Sequence, residues 1–131
     1  MTRLVRASDG RRLGLPGRSA REIADGGLGD AMTVRHVEIA MSQPGSVQRG
    51  PHVHSDVAEC IYVLKGAGVT ETESGNFALQ PGDCVIVPAG ELHVTRNTGA
   101  GSLELLCFFP VGEIATRTRE FASWDEARAS R

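Results

Sequence analysis

The sequence predicts an all-β protein, a small antiparallel β-barrel, from its apolar segments and the turn residues between them. Turn signals rich in glycine, proline and asparagine, such as Pro81-Gly82-Asp83, separate segments rich in Val, Ile, Leu and Phe. Short strands at near-regular spacing favour an antiparallel barrel or sandwich, and 16 glycines in 131 residues argue against a long helical bundle. The predicted strands are 33–41, 52–54, 60–64, 67–72, 76–79, 84–87, 92–96 and 103–109.

The chain length predicts a single domain, because 131 residues are the size of one ordinary domain. No internal repeat or low-complexity run divides the sequence. We therefore expect one domain over residues 1–131 with three parts: an irregular N-terminal arm at 1–31, the barrel at 33–110 and a C-terminal tail at 111–131.

The two ends of the chain carry short helical signals. In the arm, Ser19 is a candidate cap for one helical turn that ends at Gly26. In the tail, Ser123 and Glu126 have the spacing of a capping box, which predicts a short helix from 123–127.

Composition excludes several classes of protein. The net charge of −2 is the opposite of the basic field that nucleic-acid binding needs, so we expect no nucleic-acid partner. No apolar run approaches the roughly 20 residues that span a bilayer, and the N-terminus lacks a secretory apolar stretch. We therefore expect a cytoplasmic protein without a membrane partner. Its three cysteines, Cys60, Cys84 and Cys107, are interpreted as reduced, buried thiols.

Three of the four histidines fall in an ordered arrangement with one carboxylate. His52 and His54 stand two apart on a predicted strand, so both imidazoles point to the same face. Glu59 follows five residues later, and His93 begins a later strand. Imidazole and carboxylate together suit a divalent transition metal. On spacing alone, a pair of hydrogen-bonded polar side chains at a sheet end remains the alternative.

Glycines and prolines around these residues form two longer motifs: His52-x-His54-x4-Glu59-x6-Gly66, and Gly82-x5-Pro88-x-Gly90-x2-His93-x3-Asn97. Together they resemble the two signature motifs of the cupin superfamily, over about residues 45–97, and the chain is similar to its small single-domain members. The resemblance implies a double-stranded β-helix of the jelly-roll type. It also implies one divalent metal, iron, manganese, nickel, zinc or copper, bound by His52, His54, Glu59 and His93.

Strand parity sorts the side chains that line the barrel. If Glu59 points inward, Ile61 and Val63 also point inward and form an apolar pocket wall, whereas Tyr62 points to the opposite face. Arg35 shares the inward parity of its strand and could hold a carboxylate at the pocket rim, although a solvated strand end is the alternative. Gln48 reaches the pocket if its strand extends back from His52.

The favoured function is a metal-dependent enzyme acting on a small oxygenated or anionic molecule. We rank an iron-type oxygenase first, because the sequence offers no evident acid or base beyond the metal ligands. A redox-silent lyase, isomerase or cyclase comes second. A ligand-binding protein without catalysis and a closed structural metal site are further alternatives.

A homodimer is also expected. The predicted strands 60–64 and 103–109 are apolar on both faces, and one of those faces needs a cover, from the arm or from a second copy. Two-fold pairing is the commonest arrangement of this kind.

Overall fold

The computed structural model describes residues 2–28 and 31–131. Within this part of the chain it contains eleven β-strands and one α-helix. The strands are β1 (Arg11–Leu13), β2 (Ser19–Ala24), β3 (Thr33–Ile39), β4 (His52–His54), β5 (Glu59–Lys65), β6 (Gly68–Thr72), β7 (Gly75–Leu79), β8 (Cys84–Val87), β9 (His93–Asn97), β10 (Leu103–Phe109) and β11 (Thr118–Glu120), and the helix is α1 (Trp124–Ala129).

The strands form two antiparallel sheets with the core and a cavity between them. One sheet has the order β1-β2-β3-β10-β5-β8, and the other has the order β11-β4-β9-β6-β7. Val63 and Leu105 of the first sheet pack in one cluster with Leu79 of the second. The expected jelly-roll fold is confirmed, and each predicted strand appears with ends that differ by at most two residues.

The N-terminal arm differs from the expectation of irregular structure. Instead of a helical turn after Ser19, strands β1 and β2 extend the first sheet beyond β3. Ala20 and Glu22 alternate toward the interior, and Glu22 Oε1 accepts a 2.9 Å hydrogen bond from Arg35 Nε on β3. Pairing with an existing sheet edge and this buried ion pair therefore outweigh the weak local preference for a helical turn.

The tail contains the expected helix and one additional strand. Ser123 caps α1 by accepting a 3.1 Å hydrogen bond from the backbone N–H of Glu126, as the capping-box spacing predicts. The Glu126 carboxylate reaches one residue further back and accepts from the Ala122 N–H at 2.6 Å. Strand β11 was not predicted, because three residues without an apolar pattern give no strand signal. No helix in the described residues is long and apolar enough to cross a membrane.

Side-chain directions on β5 follow the predicted parity. Ile61 and Val63 are buried, whereas Tyr62 is 42 % exposed on the outer face. The same parity corrects the interpretation of the cysteines: Cys107 is buried as expected, but Cys60 shares the direction of Tyr62 and is half-buried. Cys84, at the edge of the sheet on β8, is exposed.

A comparison of two turn glycines tests the backbone that frames β5 and β8. Gly66 and Gly82 both have a φ of 91°, but a Cβ on Gly66 would lie 2.5 Å from the Ser102 carbonyl oxygen, whereas Gly82 faces open space. We expect Gly82→Ala to lower the free energy of unfolding by about 1–2 kcal/mol through backbone strain alone. Gly66→Ala should cost about 1–3 kcal/mol more because of the added clash. Urea denaturation measures both, and equal costs would contradict the predicted difference.

Candidate metal centre

Four buried side chains from both sheets meet between the strands. His52 and His54 lie on β4, and His93 lies opposite His52 on the neighbouring strand β9. Glu59 is the first residue of β5 and approaches from the other sheet. One ligand atom from each of the four lies within 4.8 Å of all the others. The structure thus brings together the four residues that the sequence singled out.

The Glu59 carboxylate connects the two sheets through hydrogen bonds. Its Oε1 accepts from His93 Nε2 at 2.9 Å and from His54 Nε2 at 3.2 Å. Burial acts most strongly on the pKa of Glu59 and would raise it, but the hydrogen bonds and charges of the two imidazoles together hold this pKa well below its usual range. Burial also acts to lower the pKa of His93, and the bond to Glu59 overcomes this effect and raises it.

Hydrogen bonds behind two of the histidines fix their ring orientation. His93 Nδ1 lies 2.9 Å from the Glu91 carbonyl oxygen, which can only accept, so this nitrogen carries a proton. His54 Nδ1 donates to Thr118 Oγ1 at 2.9 Å, because the Thr118 hydroxyl itself donates to the Ile114 carbonyl. Both rings therefore present Nε2 to the centre, the arrangement that oriented metal-binding histidines use.

His52 is held differently, because its partner is a cation. Arg49 Nη2 lies 2.9 Å from His52 Nδ1, and a guanidinium can only donate, so His52 Nδ1 accepts. A metal bound to Nδ1 would occupy the lone pair that now accepts from Arg49. A metal bound to Nε2 of the neutral ring would place the proton on Nδ1, which could then no longer accept. Either mode of metal binding breaks the contact with Arg49. Burial, followed by the charges of His93 and Arg49, holds the pKa of His52 well below its usual range.

The donor set fits a divalent transition metal. Three imidazoles and one carboxylate suit iron, manganese, nickel, copper or zinc. With metal–ligand bonds of roughly 2.0–2.2 Å, donors on opposite sides of an ion lie about 4.4 Å apart or less and the other pairs about 3–3.6 Å apart, so the cluster would contract by up to about 2 Å on binding. A tetrahedral shell would be complete with these four donors, whereas an octahedral shell would leave two positions for substrate or water.

A cavity of about 190 Å³ opens onto the four residues. It is smaller than the ~300–1,000 Å³ of drug-sized pockets, so it has room only for a small molecule. Apolar side chains from the first sheet form much of the wall, and the lining includes Val37, Ile39, Ile61, Leu105 and Phe109.

Of the four residues predicted to line the pocket, two line the cavity and two do not. Ile61 lines the cavity, and Val63 is fully buried in the core rather than at the cavity surface. Arg35 also lines the cavity, buried against Glu22 and not at a solvated strand end. Gln48 does not line the cavity, because β4 begins only at His52. Gln48 lies in the preceding loop, where its Oε1 accepts a 3.3 Å hydrogen bond from Arg96 Nη1.

Three charged cavity residues were missed in the sequence. Arg18 and Arg49 lie outside the predicted strands, and Glu120 lies on the unpredicted strand β11, directly across from His52. Glu120 pairs with Arg18 at 3.1 Å and with Arg49 at 3.8 Å. Residues 118–120 are all polar, so no pattern in the sequence indicated a strand on the face of His52 and His54.

Fold and site together define a class: a double-sheet β protein with a buried cluster of three histidines and one glutamate, suited to a metal ion, in its interior. The model of the family described as the cupin domain matches residues 39–109, more than half of the chain. The chain belongs to the cupin family. Among curated protein sequences, none matches the chain significantly.

Solved structures with the same fold include enzymes of different chemistry. A variant of oxalate decarboxylase from Bacillus subtilis superposes with a TM-score of 0.69 at 21% identity, over 84% of this chain and 29% of that one. Pac13, described as a nucleoside dehydratase, gives a TM-score of 0.71 at 16% identity and covers 92% of each chain. A Streptomyces Pac13 variant with uridine gives 0.72 at 16% identity, over 98% of this chain and 97% of that one. This chain thus spans less than a third of the bacterial decarboxylase. At these identities the likeness establishes the fold.

The stability that His93 contributes to the metal-free protein should fall as the pH rises. The pKa of His93 in the folded state lies above its ordinary value of 6.5, so its bond to Glu59 stabilises fully below that pH and is lost as the pH rises through the raised pKa. The pKa of Glu59 is lowered, so its contribution is present above about 4.5 and is lost at lower pH. Thermal unfolding in chelator should show the gap between wild type and His93→Gln narrowing from about pH 6 to pH 9. A constant gap would contradict this.

Removing the cation beside His52 should strengthen metal binding. In Arg49→Gln, the amide oxygen can accept from His52 Nδ1–H, which favours the ring form that offers Nε2, and one positive charge is lost. We expect roughly tenfold tighter binding of Zn²⁺ or Mn²⁺ by calorimetry. Arg18→Gln is the matched control, because Arg18 lines the same cavity and its hydrogen bonds go to Pro16 and Glu120 instead of a histidine. Equal affinities of the two variants would contradict the role of the Arg49–His52 contact.

Proposed function

We propose that this protein is a metal-dependent enzyme that acts on a small anionic molecule, with lyase-type proton chemistry favoured over oxygenation. The observation that carries the proposal is the position of Glu120. Its carboxylate lies in the same cavity as the four ligand side chains, across from His52 and beside Arg49. An ionisable group at this point supplies the acid or base that redox-silent chemistry needs.

The charge of the cavity favours an anion. Arg18, Arg35 and Arg49 line it, and Arg35 is matched by Glu22. One carboxylate, Glu120, serves both Arg18 and Arg49, so one guanidinium charge is left for a ligand. Such a group holds a carboxylate or phosphate by charge-assisted hydrogen bonds.

Arg49 is the guanidinium best placed to receive that anion. Its Nε is buried and has no hydrogen-bond partner among the residues that the structure describes, and burial lowers its pKa to about 10. A buried donor without a partner is costly, and a bound carboxylate would satisfy it. Metal binding at His52 would also free Nη2, so the loaded site would offer two donors of Arg49 to the anion.

A metal bound by the four residues would polarise a substrate oxygen as a Lewis acid and, if it were iron or manganese, could also take part in redox chemistry. Arg49 would orient the anionic end of the substrate, and Glu120 would accept or return a proton. The apolar wall with Ile61 would limit access of water. An oxygenase is the second candidate, favoured by this dry wall. Glu120 supplies the acid or base whose absence from the sequence favoured an oxygenase.

Metal and oxygen dependence test the proposal. Metal-stripped protein would be reloaded with iron(II), manganese(II), nickel(II) or zinc(II) and assayed against small carboxylates and phosphorylated metabolites, with and without oxygen. We expect turnover that continues in strict anaerobiosis. Turnover that requires oxygen and a redox-active metal would favour the oxygenase. Tight binding of an anion without turnover by any loaded form would favour a ligand-binding protein.

Substitution of the proposed proton carrier separates its role from binding. Glu120→Gln should lower kcat about 100-fold or more while leaving metal affinity within a few-fold of wild type. Glu113→Gln is the matched control, because Glu113 is exposed and pairs with the nearby Thr116 outside the cavity. Retention of full kcat by Glu120→Gln would refute the assigned role.

We further propose that two copies associate through the outer face of the first sheet. Tyr62, Ile86, Leu106 and Phe108 lie there on three adjacent strands and are each 36–71 % exposed. A contiguous apolar patch of this kind marks an interaction surface. Light scattering should report a dimer, and Ile86→Asp should shift it toward monomer. Val47→Asp, in an exposed loop, should not, and a monomeric wild type would reject the proposal.

A further inference from the structure

Two thiols on the outer face of the first sheet lie close to bonding distance. Cys60 on β5 and Cys84 on β8 have their Sγ atoms 3.1 Å apart. In the single chain Cys84 is exposed and Cys60 is half-buried, both on the side of the sheet that faces away from the cavity. They lie beside Tyr62 and Ile86 of the surface through which we propose that two copies associate, so oxidation is expected in the dissociated chain. We propose that Cys60 and Cys84 form a disulfide within one chain, which makes this sheet edge a site of reversible oxidative modification.

The strand register makes the two cysteines diagonal neighbours. Cys60 pairs with Ile86, and Tyr62 pairs with Cys84. Diagonal neighbours ordinarily have Cα atoms about 7–8 Å apart, slightly beyond the roughly 6.8 Å limit for disulfides, but strand twist shortens one of the two diagonals. The short Sγ separation shows that these side chains converge. Forming an S–S bond of about 2.05 Å needs a further approach of only about 1 Å.

The position of β8 permits that approach. It is the last strand of the first sheet, beside β5, so it can shift without displacing a further strand. Cys107 does not compete for either partner. It is buried on β10, where it pairs with Ile61 of β5, and both side chains point into the cavity on the opposite side of the sheet from Cys60 and Cys84.

A low-molecular-weight disulfide such as oxidised glutathione can serve as the oxidant. The Cys84 thiolate, the more exposed of the two, attacks one glutathione sulfur, and the other glutathione leaves as a thiolate. The Cys60 thiolate then attacks Cys84 Sγ and displaces the second glutathione. Two protein thiols have lost two protons and two electrons, and one glutathione disulfide has become two thiols.

The bond would join residues at the two ends of the segment 60–84, which contains β6 and β7. Closing this loop restricts the unfolded chain, so oxidation should stabilise the fold. For a chain of this size we expect the melting temperature to rise by about 5–10 °C.

Peptide mapping tests the pairing directly. The full-length protein would be equilibrated with oxidised glutathione, alkylated under denaturing conditions and cut with trypsin without reduction. Cleavage after Arg49, Lys65 and Arg96 puts Cys60 and Cys84 on adjacent peptides, 50–65 and 66–96. We expect these two peptides to be linked and the Cys107 peptide to be alkylated.

Cys84→Ser is the matched variant for thermal unfolding, because it removes one exposed sulfur at the sheet edge. Oxidised wild type should melt above reduced wild type, and the variant should show no such difference. Free thiols at both positions after equilibration would overturn the proposal, as would a lasting glutathione adduct on Cys84 or a bond between two chains. A linked pair without a higher melting temperature would also overturn it, since the bond would then be strained.

Discussion

The contact between Glu59 and the imidazoles of His54 and His93 is the interaction on which the site depends. The carboxylate comes from one sheet and the histidines from the other, so their hydrogen bonds of 2.9 and 3.2 Å fix the separation of the sheets at this point. Burying a carboxylate without compensation is costly, and the imidazoles provide the compensation. In the metal-free protein the cluster is therefore an ionic contact that depends on the protons on Nε2 of His54 and His93. A metal bound at these nitrogens would replace those protons.

Neighbouring groups that are not metal ligands set the protonation form of the three histidine rings. Thr118 and the Glu91 carbonyl favour the ring form that presents Nε2, whereas Arg49 favours the opposite form at His52. Two of the three histidines are thus held in the ring form that binds a metal through Nε2, whereas Arg49 disfavours that form at the third, His52. Metal binding at His52 therefore requires the Arg49 guanidinium to move away from Nδ1, and this movement changes where its positive charge lies in the cavity.

The sequence predicted the barrel strands and the four clustered residues because each had a local signal. Alternating apolar residues marked the strands, and the fixed spacing from His52 to Asn97 marked the turns that present the cluster. It did not predict β1, β2 or β11. Ser19–Ala24 has no alternation of apolar and polar residues, and its strand forms because β3 offers an edge and because Glu22 meets Arg35. Those contacts depend on the assembled fold, not on local pattern.

The charged residues of the pocket were also hard to predict, because their positions depend on pairing between strands that are distant in the sequence. Glu120 lies 61 residues after Glu59, and it enters the cavity because β11 pairs with β4. Gln48, by contrast, had suitable parity but lies before the strand begins. Parity identifies side chains on a known strand, whereas a short polar strand held by long-range pairing leaves almost no trace in a single sequence.

The close approach of Gly50 to the C-terminal segment has a consequence for how such a pocket can diversify. A Cβ at this position would lie 2.0 Å from the Phe121 carbonyl oxygen, while the Phe121 N–H donates to the Pro51 carbonyl at 2.9 Å. Any side chain at position 50 would push the C-terminal segment outward and withdraw Glu120 from the cavity. The absence of a side chain at one position therefore sets which acid a distant segment can deliver. In relatives with a larger residue there, the equivalent of Glu120 would lie further from the cavity, and any carboxylate in the pocket would come from another wall of the barrel.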